Sequence, residues 1–132
     1  MKPPVALAAA LASFEATWSP RIVAQVNDYD VRVAHVRGEH VWHVHEGTDE
    51  FFLVLDGTFT VAIRDEHGAE SAVELPKGSA YVVPRGVAHR PSSPDGAQIL
   101  MFEPTGTGTV GDRHEGEIGE HIDATTGHAL WA

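Results

Sequence analysis

An all-β domain led by one short N-terminal helix is what this 132-residue chain predicts. Three observations carry that expectation. From Arg21 onward the apolar residues come in short runs bounded by turn clusters such as Asn27-Asp28, Asp56-Gly57, Pro76-Lys77-Gly78 and Pro84-Arg85-Gly86. No helical period separates those runs, so βαβ units cannot form and the strands must close as a sandwich, jelly roll or barrel. The length suffices for one domain with a single core, and the absence of cysteine means that no disulfide staples it.

The helix is predicted within residues 1–20, where Leu7, Leu11, Phe14 and Trp18 recur at the spacing of one helical face and Ser19-Pro20 ends the pattern. A secretory leader is the competing reading of the same segment. Pro3-Pro4 and the single Lys2 argue against it, and a cytoplasmic protein is expected. The strands "RIVAQV" and "YDVRVAHVR" turn at Asn27-Asp28, and "VWHVH" passes through Glu46-Gly47-Thr48-Asp49 into "EFFLVL". Asp56-Gly57 reads as a hairpin returning into "TFTVAIR". "AVELP", "SAYVVP" and "AQILMFE" follow, the last after an expected loop "PSSPDGA". The expected organisation is a helix (1–20) packed on a β-barrel (21–104), with a solvated acidic tail (105–132) over the outside of the barrel.

Composition excludes several partners. Nine Lys and Arg, scattered singly against 19 Asp and Glu, give a net charge of -10, which opposes a phosphate backbone. No stretch approaches the roughly 18 apolar residues of a membrane span. Without thiolates, any metal must be held by imidazole and carboxylate.

Such groups cluster. On a strand His43 and His45 share a face, whereas His40 falls on the opposite one unless a bulge intervenes. Glu50 follows a short turn that brings the chain back beside His45, and His89 stands just beyond the Pro84-x-Gly86 turn. Three imidazoles and one carboxylate suit divalent Fe, Mn, Ni, Co, Cu or Zn. Glu39 shares parity with Val41 and His43 and is a candidate acid/base at the pocket mouth, although a solvated edge position suits it as well. Val41 and Phe52 are expected to line the pocket, and Tyr81, Arg85 and Arg90 flank the second segment in surface positions from which they could anchor an anion. His35, His67, His114, His121 and His128 read as surface or packing histidines.

The spacing His43-x-His45, four residues, Glu50, six residues, Gly57 resembles the first motif of the cupin superfamily. Gly78, five residues, Pro84-x-Gly86, two residues, His89 resembles the second. Gly38 is separated from His43 by four residues where the pattern has five, and Ser93 replaces an Asn common at the end of the second motif. Within the superfamily the chain is most similar to small single-domain bacterial cupins of the mannose-6-phosphate-isomerase-like type. The resemblance implies a double-stranded β-helix, a jelly-roll barrel, with His43, His45, Glu50 and His89 as ligands of one divalent transition metal ion. It implies action on a small oxygen-rich molecule, a sugar or acid derivative, as isomerase or lyase or as dioxygenase. A binding or sensing module that holds its ligand without turnover is the alternative. A homodimer is expected, since open strand edges invite pairing.

Overall fold

The structure, a computed structural model, describes residues 1–130. One helix, α1 (Leu7–Ala12), precedes ten strands: β1 (Arg21–Val26), β2 (Tyr29–Glu39), β3 (His43–Val44), β4 (Glu50–Gly57), β5 (Phe59–Arg64), β6 (Glu70–Leu75), β7 (Ala80–Val83), β8 (Ala88–Pro104), β9 (Arg113–His114) and β10 (His128–Ala129). Among the described residues no helix is long and apolar enough to cross a membrane.

The long strand β8 organises the jelly roll. Its first half pairs antiparallel with β5, joins β3 through His89 opposite His43, and meets the end of β2 at Ser92 and Ser93. Its second half, from Ala97, pairs with β2 on one side and β4 on the other. The two faces of the barrel therefore share one strand. The expected "PSSPDGA" loop lies inside β8, which carries the irregularity itself: Val36 faces Ala97 but Gly38 faces Ser93, so β8 spends two more residues than β2 across this register shift. Ser93 is fully buried and its hydroxyl donates to the Thr58 carbonyl at 2.7 Å, which ties this crossing point to the start of β5.

The Asp56-Gly57 turn is present, but not as a hairpin. Strands β4 and β5 do not pair with each other; each pairs with a different half of β8. Local turn chemistry sets the direction of a chain reversal and not which neighbours the strands find. Gly57 sits at φ +77°, where a Cβ would lie 2.5 Å from the Gly96 carbonyl oxygen. Substituting Gly57 by Ala combines left-handed strain with a backbone clash, and should destabilise by about 1–3 kcal/mol or more. A thermal midpoint unchanged in scanning calorimetry would refute that.

The predicted helical face is divided. The helix stops at Ala12, where the Ser13 hydroxyl donates to the Ala10 carbonyl at 2.6 Å. So short a helix has little intrinsic stability and is held by tertiary packing. Leu7, Leu11 and Phe14 pack with Val23, Val33 and Leu100 on the outside of the sheet. Trp18 belongs to the other cluster, inside the barrel, with Val36, Phe52, Phe59, Ile99 and Met101. It reaches that position at φ +52°, its indole N–H donating to the Arg37 carbonyl at 2.8 Å.

The tail lies over the outside of the barrel with most of its residues exposed, and it is anchored there at specific points. Strand β9 pairs with β3, β10 pairs with β1, and Ile122 is buried in the interior cluster. Its acidic groups have specific partners: Asp112 accepts from the Glu46 backbone N–H at 2.7 Å, Glu115 pairs with Arg64, and Asp123 accepts from Ser19 at 2.9 Å.

Candidate metal centre

Four side chains from three strands and one loop converge inside the barrel. His43 and His89 are direct partners across β3 and β8, their rings 4.3 Å apart. His45 follows β3 with its ring 5.0 Å from that of His43. Glu50 opens β4, paired with Val83, where the short turn after His45 returns the chain. One potential ligand atom from each of the four lies within 4.8 Å of the others, and all four residues are buried.

The hydrogen bonds prepare the imidazoles as ligands. His43 Nδ1–H donates to the Val41 carbonyl at 2.8 Å, and His89 Nδ1–H donates to the Val87 carbonyl at 2.9 Å. A carbonyl can only accept, so each ring carries its proton on Nδ1 and directs an Nε2 lone pair inward. Those two Nε2 atoms, and Glu50 Oε2, are buried with no hydrogen-bond partner among the described residues. Oε2 makes ion-pair contacts only, with His45 Nε2 and, at 3.7 Å, with His89 Nε2. Buried polar atoms without partners are rare because each forfeits its hydration. Three of them in a cluster whose potential ligand atoms lie within 4.8 Å of one another fit a cation, and orienting a ligand histidine through its other nitrogen is a recurrent feature of metal sites.

Electrostatics agree. Burial lowers His43 to about 3, keeping the ring neutral. Burial acts in the same direction on His45, but the Glu50 carboxylate outweighs it and His45 is raised. Burial would raise Glu50, and the contacts with His45 and His89 reverse this and hold it well below the usual carboxylate range. The cluster therefore offers one anionic and three imidazole ligands once His45 releases its proton.

The surrounding loops fix the site. The Gly86 N–H donates to the His45 carbonyl at 2.8 Å, and the Arg85 N–H donates to Asp49 at 2.9 Å, so the Pro84-Arg85-Gly86 turn carrying His89 is tied to the turn carrying Glu50. The tail closes over β3: the Asp112 and Glu115 N–H groups donate to the Val44 and Trp42 carbonyls at 2.8 and 2.9 Å.

Beside the ligands lies a cavity walled by Trp18, Val36, Phe52, Ile99 and Met101, with His40, Glu103 and Thr109 as its further polar groups. Phe52 thus lines the cavity. Val41 does not; it packs partly buried against the core, and it is its carbonyl that serves the site by orienting His43. Glu39 is not at the pocket mouth. Its side chain is 62% exposed and pairs with Arg90 at 3.1 Å on the surface. Tyr81 and Arg85 are also outside the cavity lining.

Two ionisable cavity residues escaped the sequence reading. His40 is buried, its ring 4.9 Å from His43, because regular strand geometry ends at Glu39 and resumes at His43, so alternation does not carry across residues 40–42. Burial lowers it to about 4. Glu103 shares the inward phase of β8 with Ala97, Ile99 and Met101, and that alternation was available in the sequence.

Comparison with known proteins agrees with this geometry. A family model described as "Cupin domain" matches residues 30–103. The protein YdbB of Bacillus subtilis (strain 168) is 38% identical over 71 residues, spanning 54% of this chain and 59% of its own length. A cupin-2 domain containing protein from Shewanella frigidimarina is 38% identical with a TM-score of 0.71, covering 76% of this chain and 93% of that one. Hydroquinone 1,2-dioxygenase from Sphingomonas sp. TTNP3 shares the fold at 21% identity and TM-score 0.70, over 77% of this chain and 32% of that one. With the family model spanning more than half its length, this chain belongs to the cupin family.

Proposed function

We propose that this protein holds one divalent transition metal ion through His43, His45, Glu50 and His89 and acts with it on a small oxygen-rich molecule, a sugar or acid derivative, as an isomerase or lyase or as a dioxygenase. The observation that carries the reading is the set of buried atoms without a hydrogen-bond partner, Nε2 of His43 and His89 and Oε2 of Glu50, in a cluster whose potential ligand atoms lie within 4.8 Å of one another beside a cavity. Such an ion would act as a Lewis acid toward substrate oxygens or, as Fe(II), would serve dioxygen chemistry.

The protein's own groups define the rest. The Val41 and Val87 carbonyls keep both rings in the binding tautomer, the cavity walls are largely apolar, and the tail pairs with β3, which bears His43 and leads directly into His45. The fold relation to hydroquinone 1,2-dioxygenase supports only the architecture. Elemental analysis of protein isolated without added metal should find close to one equivalent of a transition metal. Oxygen uptake after anaerobic Fe(II) loading, tested with catechols, diketones and thiols, then separates the branches. No bound metal, and none taken up on loading, would sink the reading.

A further inference from the structure

The second carboxylate of the cavity has no part in the ligand cluster. Glu103 lies near the end of β8, 4% exposed, with its Cα directly opposite that of Asp30 on β2. Like charges opposite one another on paired strands repel. One cation serves both: Arg32, on the same inward face of β2, places a guanidinium nitrogen 3.1 Å from Asp30 and another 3.7 Å from Glu103. The sharing is unequal. Asp30 also accepts from Gln25 at 3.0 Å and from Thr105 at 2.8 Å, while the Arg32 nitrogen nearer Glu103 is committed to the Thr107 carbonyl at 2.9 Å.

Two buried carboxylates with one guanidinium leave one charge uncompensated, and Asp30, which accepts hydrogen bonds from Gln25, Thr105 and Arg32, is the group that keeps its negative charge. Glu103 resolves the imbalance by holding a proton. The groups acting on it are Asp30 and Arg32 from β2, Glu50 from β4 and His45 beside β3. Burial is the largest influence, the Glu50 charge adds to it, and Arg32 only partly opposes them, so Glu103 is raised to about 8. Around it the cavity is largely apolar, so a bound molecule meets few proton donors besides this carboxyl.

We propose that Glu103 is the general acid of the cavity: it donates its O–H to an oxygen of a metal-bound hydroxy carbonyl compound or 2-hydroxy acid and passes that proton to the oxygen when negative charge develops there. The step balances within the pair. The Glu103 O–H bond breaks, the substrate oxyanion becomes a hydroxyl, and the carboxylate left behind lies beside Arg32. This rests on the metal-site reading and directs it toward isomerase or lyase chemistry, which needs proton transfer beside the ion.

The test uses Co(II)-loaded full-length protein with glycolate as probe, binding being followed in the cobalt visible spectrum from pH 6 to 9. Positive charge at the ligand cluster lowers the Glu103 transition, so its position is read from the data. Above that transition the wild type should lose affinity about tenfold per pH unit, while Glu103→Gln, which keeps a donor but cannot ionise, should change by less than about twofold. A transition that persists in E103Q would belong to metal-bound water and overturn the proposal, as would a flat wild-type profile. If E103Q does not fold, Glu103→Asp should displace the transition, and an undisplaced one overturns the proposal equally. Failure of the wild type to bind cobalt would instead sink the metal site itself, and this proposal with it.

Discussion

Replacing His45 by Ala is expected to reduce bound divalent metal from about one equivalent to trace, with affinity falling by well over the roughly 100-fold upper range for losing an outer partner of a ligand. The size of the effect follows from geometry. His45 is the cluster member whose imidazole contacts the Glu50 carboxylate, and its loss leaves that buried anion with His89 as its only ion-pair partner in the site, at 3.7 Å. Glu50→Gln should behave alike for a different reason, since it preserves shape and removes the one negative charge in the ligand set. The exposed His67, paired only with neighbouring Glu66, supplies the control: His67→Ala should retain full stoichiometry. Inductively coupled plasma analysis of dialysed protein, with far-ultraviolet circular dichroism to confirm folding, decides the matter. Full metal retention in H45A would contradict the ligand assignment.

The clustering of His43, His45, Glu50 and His89 was legible because it depends on short spacings. His43 and His45 sit two apart, and Glu50 and His89 each follow a turn whose residues, Glu46-Gly47-Thr48-Asp49 and Pro84-Arg85-Gly86, announce a change of direction. What depended on distant pairing was not legible. Nothing local in Asp56-Gly57 states that β4 and β5 will each choose β8 over one another. Nothing in Leu7, Leu11, Phe14 and Trp18 states that a bridge between Thr17 and His35 will draw the last of them into a different cluster. His40 was lost to an interruption of alternation that only the register shift at Gly38 and the break before β3 reveal. Glu103 is a different case. Its inward phase follows from Ile99 and Met101, but a carboxylate at the end of an apolar strand reads as the strand's exit, and the guanidinium that admits it to the interior lies on β2, far earlier in the chain.

That guanidinium gives the second large effect. Arg32→Met is expected to destabilise the protein by about 3–5 kcal/mol at neutral pH, the usual consequence of removing one partner from a buried ionic group. Arg32 has no exposed side-chain surface, and its loss leaves Asp30 buried with only the neutral donors Gln25 and Thr105. It also frees the Thr107 carbonyl, one of the points at which β2 holds the tail. Met conserves much of the aliphatic volume, so the deficit should be electrostatic rather than a cavity. The double variant Arg32→Met/Asp30→Asn is therefore expected to recover a large part of the loss, because an amide in place of the Asp30 carboxylate is neutral and Glu103 can remain protonated. The pH dependence has a definite sign. With the positive charge gone, both carboxyls favour protonation in the folded chain relative to the unfolded one, so Arg32→Met should be least stable at high pH and should approach wild type as pH falls toward the ordinary carboxyl range. Urea denaturation of the three proteins at pH 5 and pH 8 measures this directly. A single variant as stable as wild type at pH 8, or a double variant no better than the single, would show that Asp30 and Glu103 do not share Arg32 as their counter-charge.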